Sequence, residues 1–212
     1  MKLLQLRIIF QSAIALLLAG CASTAPQPAS VFPEGFQHDK HLQKVWLASQ
    51  FDFTGYDTLY VAETKTMLAK TNNAETAELL DWAKNELQNE FIQEIGRKPV
   101  FKLVTGNGNE TSDRKRLTLE NTIIEYAKGS GATRFWASGF GAGQPVIRVH
   151  GQMSDGTNTV FIFESYRSGD SASARLDPGW TPDKSLQAID IHDLAIDLAD
   201  FIDQTSKHQP RK

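Results

Sequence analysis

The chain has 212 residues, with 22 Lys and Arg against 25 Asp and Glu, a formal charge of −3 and one cysteine. An acidic balance argues against a nucleic-acid partner, which selects for basic surfaces. A lone cysteine excludes an intrachain disulfide and CxxC redox chemistry, and the length suits one domain with a sizeable core and no internal repeat.

Lys2 and Arg7 lead an apolar run from Ile8 to Ala19 that Gln11 and Ser12 interrupt. Charge followed by a short apolar stretch and small residues is the layout of an export signal. The run falls short of the roughly 20 apolar residues that a spanning helix needs. Leu18-Ala19-Gly20-Cys21 resembles the lipobox of bacterial lipoproteins. That resemblance implies diacylglyceryl transfer to the Cys21 sulfur, cleavage between Gly20 and Cys21, and acylation of the new amino terminus. The plainer alternative is a secreted protein cleaved elsewhere, with Cys21 left as a thiol. One acyl chain anchors only marginally, at about 0.8 kcal/mol per buried methylene, whereas three make attachment effectively permanent.

Loss of residues 1–20 removes Lys2 and Arg7. It leaves 192 residues with 20 basic and 25 acidic side chains, a charge of −5. By the resemblance, Ala22 in place of an aspartate after the cysteine implies delivery to the outer membrane of a Gram-negative cell, with the domain facing the periplasm. Residues 22–33, ASTAPQPASVFP, are small, polar and rich in proline, so they read as a tether. The expected organisation is a signal peptide at 1–20, the lipidated cysteine and tether at 21–36, one domain at 37–205 and a frayed tail at 206–212.

Within the domain, 57–63 alternates and reads as a strand. Asn72 or Asn73 is placed to cap a helix running to about Ile95 and stopped by Gly96. Its core face at helical spacing is Ala77, Leu80, Leu87, Phe91 and Ile95. A short strand is expected at 100–104, a polar loop at 105–116 and a longer strand at 117–129. Residues 131–143 read equally as a short helix or a glycine loop. Residues 145–153 and 159–167 flank Asp155-Gly156 as a hairpin, and 185–205 is an amphipathic helix. The expected fold is α+β: a mixed, mostly antiparallel sheet of about five strands packed by two main helices.

LTLENTIIEYAKGSGATRFWASGFGAGQPVIRVHGQMSD, followed by RSGDSASARLD, resembles the bacterial lipoprotein family catalogued as domain of unknown function 4410, over roughly residues 55–205. The resemblance implies an exported lipoprotein domain. It supplies no catalytic residues.

Gly139-Phe140-Gly141-Ala142-Gly143 invites a nucleotide reading. A phosphate loop needs a helix after it and a Lys-Ser/Thr pair, but Gln144-Pro145 and a strand follow here. A tight backbone turn needing positive φ or the close approach of another segment is the better reading. The sharper alternative places Arg134, Trp136, Gly139, Gly141, Gly143 and Gln144 around a small anion or polymer site beside exposed amides.

Ser130 and Ser138 sit near glycines without a G-x-S-x-G elbow, and Gly169-Asp170-Ser171 reads as a turn. His38, His41, His150, His192 and His208 are scattered. His150 or His192 with a spatially assembled serine would make a periplasmic hydrolase. His38 and His41 precede the core, so no metal or cofactor is expected. Asp190, Asp193, Asp197 and Asp200 fall within about 80° of arc on one helix. They read as a solvated face opposite Ile191, Leu194, Ala195, Leu198 and Phe201.

Trp82 lies off the apolar stripe of its helix and is either a docking aromatic or, preferably, covered by residues 45–51. Arg148 and His150 share a strand face opposite Ile147 and Val149. That face is either open to a partner or under a helix, since 160–163 is apolar on both parities. The expected function is a lipid-anchored, non-enzymatic binding or adaptor module of the cell envelope, meeting a membrane through its lipid and an envelope protein or the cell wall through its domain. The alternatives are the hydrolase and a carrier of a lipid or small apolar ligand.

Overall fold

The computed structural model describes residues 33–69, 73–109, 115–137, 143–156, 158–169 and 181–208, without the side chains of residues 136 and 137. The chain divides into Met1–Val31 and Phe32–Lys212, and every described residue belongs to the second unit. The expected signal, Gly20, Cys21 and most of the tether therefore lie outside the described residues.

Asn73 starts the first long helix, α1 (Ala74–Gly96), by accepting the Thr76 backbone N–H on its side chain at 3.0 Å. Ala83, Leu87, Phe91 and Ile95 repeat at i+4 and form its buried ridge, joined by Glu94. Leu80 packs at the margin of that ridge, and Ala77 is half-buried. Helix α1 connects β3 (Thr58–Val61) to β5 (Leu103–Thr105), which pair in parallel with Thr58 opposite Leu103. On its other side β3 pairs in parallel with β6 (Arg116–Ala127). β4 (Lys65–Thr66) continues along the same β6 edge.

β6 runs antiparallel to β7 (Val146–Ser154), with a register shift between Ile123 and Glu125. The short helix α2 (Gly131–Ala137) stands in the connection between them. β7 turns back into β8 (Thr159–Arg167) at the expected Asp155-Gly156 hairpin, where Gly156 has φ +105°. β8 then pairs antiparallel with β2 (Gln43–Leu47), and β2 with β1 (Gln37–Asp39). The result is one mixed, mostly antiparallel sheet in the order β1-β2-β8-β7-β6-β3-β5, with β4 beside β6. The α+β architecture is as expected. Eight strands replace about five because β1, β2 and β4 are short pieces: β1 pairs locally with β2, while β2 and β4 are held by the distant β8 and β6.

The last helix, α3 (Asp183–His208), lies parallel to α1. The Lys184 ammonium sits 4.7 Å from the Trp82 ring centroid, His192 meets Glu90, and Lys98 meets Asp200, each pair 102 residues apart. Both helices press on the sheet face formed by Leu119, Ile147, Val149, Phe161 and Phe163. Aromatic rings link the layers: Phe91 meets Phe163 edge-on at 6.2 Å, and Phe201 stacks on Phe161 at 5.2 Å. Among the described residues no helix is long and apolar enough to cross a membrane.

Three expectations are corrected here. Residues 43–47 form β2 at the sheet's side, and Lys184 lies over Trp82 in a cation–π contact instead of residues 45–51 covering it. The aspartates of α3 are not a solvated face. Asp190 is buried and accepts the Gly169 N–H at 2.8 Å, and Asp197 bonds Arg167 at 2.6 Å and His41 at 3.2 Å. Asp200 bonds Lys98 at 2.5 Å. The carboxylates tie the helix to its surroundings, as partly buried charges require. Finally, α3 continues past Thr205 to His208, with Ser206 buried and donating to the Ile202 carbonyl at 2.7 Å.

Candidate functional site

The glycine-rich turn resolves into a backbone clasp at its described end. Gly143 has φ +80°, and a Cβ there would lie 2.7 Å from Thr133 Cβ and 2.8 Å from Arg134 N. Only glycine fits, on conformation and on space. The Gly143 carbonyl accepts the Ser130 N–H at 2.8 Å and Arg134 Nη1 at 3.1 Å. Arg134 is fully buried, bonding Asp183 at the start of α3 through Nη1 and the Thr181 carbonyl through Nη2 at 2.9 Å. Its guanidinium therefore joins α2, the turn and α3, in the manner of a buried, bonded cation.

Gln144 lies against Gly169, where an added Cβ would sit 2.7 Å from Gln144 Oε1. The structure thus brings Arg134, Gly143 and Gln144 together. Gly139 and Gly141 lie outside the described residues, and Trp136 is placed only by its backbone in α2. Asp183 and Thr181 were missed in the sequence because nothing local connects them to residues nearly fifty positions earlier.

The second candidate is the sheet face turned away from α1 and α3, where Arg148 and His150 sit. Strand register lays out three rows across it. Lys44, Glu164, His150 and Thr122 form one; Trp46, Ile162, Gln152 and Glu120 form the next; Tyr166, Arg148 and Glu125 form the third. Glu164 is the buried centre, with Lys44 Nζ at 3.4 Å and Arg148 Nη1 at 3.6 Å. Arg148 Nε also reaches Glu125 Oε2 at 2.9 Å, and its guanidinium lies 5.0 Å from the Tyr166 ring centroid.

Burial pushes the His150 imidazole below its ordinary pKa, against the opposing pull of the Glu164 carboxylate. Neither long helix packs on this face, so the apolar run at 160–163 does not mark a helix above it. Ile162 on this face is buried, while Val160 joins the core beside the register shift between Met153 and Ser154.

Residues 48–194 match the family model described as Domain of unknown function (DUF4410). The chain belongs to that family. No curated protein matches it. Among solved structures it is similar to the PelC dodecamer from Paraburkholderia phytofirmans in two crystal forms. One match has 13% identity over 73% of this chain and 97% of that one, and the other 12% over 72% and 96%, both with TM-score 0.44. It is also similar to a Xanthomonas campestris protein of the DUF330 family, at 12% identity over 75% of this chain and 91% of that one, with TM-score 0.43.

The DUF4410 match takes in β3 to β8, both clasp residues Arg134 and Gly143, and α3 as far as Leu194. Lys44 and Trp46 on β2 fall before it, so the rows on the open face mix residues of the DUF4410 segment with two from outside it.

Proposed function

We propose that this DUF4410 domain is an adaptor of the cell envelope. In this reading lipid on Cys21 holds it to the outer membrane, facing the periplasm, and a protein partner docks on the open face of its sheet. The observation that carries the reading is that face: Arg148 lies over Tyr166, with half-buried Trp46 and a buried, cation-flanked Glu164 in the adjoining rows. Tyr, Trp and Arg are the residue types enriched at protein interfaces and at their energetic hot spots.

The other readings draw less support. Of the two histidines the hydrolase reading names, His192 bonds Glu90 and His150 lies in the row of Lys44, Glu164 and Thr122, with Glu164 and Thr122 as its strand neighbours. Two surface hollows of about 70 and about 250 Å³ include Asp197 and Asp200 in one lining and Asp203 and Lys207 in the other, which suits an apolar cargo poorly. The address rests on the lipobox and on Ala22 after Cys21, with a tether whose dozen residues reach at most about 40 Å when extended.

The test is a photocrosslinking amino acid at Gln152, on the open face, and at exposed Asn85 on α1, in intact cells. A discrete protein adduct from position 152 alone, lost on Arg148→Glu, is expected. Equal adducts from both positions, or a glycan adduct in place of protein, would overturn the reading.

A further inference from the structure

Glu90 and Glu94 stand one turn apart on α1, so their side chains share one face of the helix. The parallel packing of α3 sets His192 against them. His192 Nδ1 lies 2.8 Å from Glu90 Oε2 and 3.8 Å from Glu94 Oε1, and the three ligand atoms lie within 4.8 Å of one another. A tetrahedral zinc-class ion with bonds of about 2.0–2.1 Å holds its ligand atoms about 3.3 Å apart. The two observed separations bracket that value.

We infer that Glu90, Glu94 and His192 form a binding site for a divalent transition cation of the Zn²⁺ class, bridging α1 and α3. One imidazole nitrogen with two carboxylate oxygens suits such an ion better than Ca²⁺, which asks for six or more oxygens. The pocket grades from dry to wet: the Glu94 side chain is 6% exposed, Glu90 20% and His192 42%. The buried carboxylate fixes the inner ligand, and a fourth position opens toward water. Two carboxylates and a neutral imidazole leave a charge of −2 for the ion to neutralise.

Arg97 bonds Glu94. Its side chain is 58% exposed, so it can turn into solvent at small cost when the ion takes its place. Lys98 is held away by Asp200, and Asp193 adds negative charge near the ring. Protons compete with the ion, because an imidazole must be neutral to ligate it. This site lies on the helix layer, on the opposite side of the sheet from the open face, and does not depend on the adaptor reading.

The full-length protein, stripped with a chelator, is titrated with Zn²⁺ against a chromogenic competitor at pH 7.5 and pH 5.5, with melting curves alongside. One tight equivalent at pH 7.5, a Zn²⁺-dependent rise in Tm, and at least tenfold weaker binding at pH 5.5 are expected. Glu90→Gln and His192→Ala, each folded by its metal-free melt, should weaken binding at least tenfold and abolish the rise, whereas His41→Ala should leave both unchanged. No stoichiometric binding, or binding that survives both Glu90→Gln and His192→Ala, would overturn the inference.

Discussion

Gly151 on β7 faces Phe163 on β8, and a Cβ added to Gly151 would fall 2.0 Å from Phe163 Cε1. The missing side chain is the space into which the ring packs, between the sheet and Phe91. Gly151→Ala should therefore cost about 1–3 kcal/mol by overpacking. Adding Phe163→Leu should recover part of that loss, a coupling that a double-mutant cycle of denaturation midpoints reads directly. Strict additivity would mean that the ring does not depend on that space.

Gly143→Ala should lower stability by at least about 1 kcal/mol, since the position combines positive φ with contacts to backbone atoms. Arg134→Ala should act in the same direction by removing the guanidinium bonds to Asp183 and to the Gly143 and Thr181 carbonyls, with the Ser130 N–H still on Gly143. Thermal denaturation decides the matter. An unchanged Tm in both variants would favour a ligand site at this turn over a clasp.

His150 and His192 should give opposite pH dependences in the metal-free protein. The pKa of His192 is raised in the fold, mainly by its hydrogen bond to Glu90. Its contribution is present below its unfolded value of about 6.5 and is lost as pH rises through the folded value. His150 is lowered by burial, so its folded form resists protonation, and stability falls as pH drops below about 6.5. Comparing wild type with His192→Gln and with His150→Gln in urea at pH 5.5, 7 and 8.5 should show the two differences moving in opposite directions. Parallel movement would contradict the assigned environments.

Cys21→Ser should abolish incorporation of labelled palmitate and leave the precursor uncleaved at Gly20. On density gradients the wild type should travel with outer-membrane markers, and Ala22→Asp should shift inward. Palmitate labelling that persists in Cys21→Ser would remove the anchor, and wild type among inner-membrane markers would remove the address alone.

Much of the domain was legible because its determinants are local. Asn73 caps its own helix, and Leu87, Phe91 and Ile95 repeat along it, so α1 could be read to within a residue of its ends. Asp155-Gly156 needs only a positive φ between two alternating runs, and the hairpin followed. The turn conformation at Gly143 was legible for the same reason.

The rest depends on what the chain meets far away. β2 has five residues and β4 two, too short for a clear pattern, and they are strands because β8 and β6 supply their hydrogen bonds. Spacing at 100° per residue placed Asp190, Asp197 and Asp200 on one side of α3. It could not say that Gly169, Arg167 and Lys98 wait there to bond them. The same holds for Arg134 with Asp183 and for Glu90 with His192. The sequence by itself determined the two long helices, the hairpin, the strands other than β1, β2 and β4, and the residue types available. Only the tertiary structure decided which face of the sheet α1 and α3 cover and which charges meet, because side-chain pairing across 102 residues depends on helix and strand placement rather than on local periodicity.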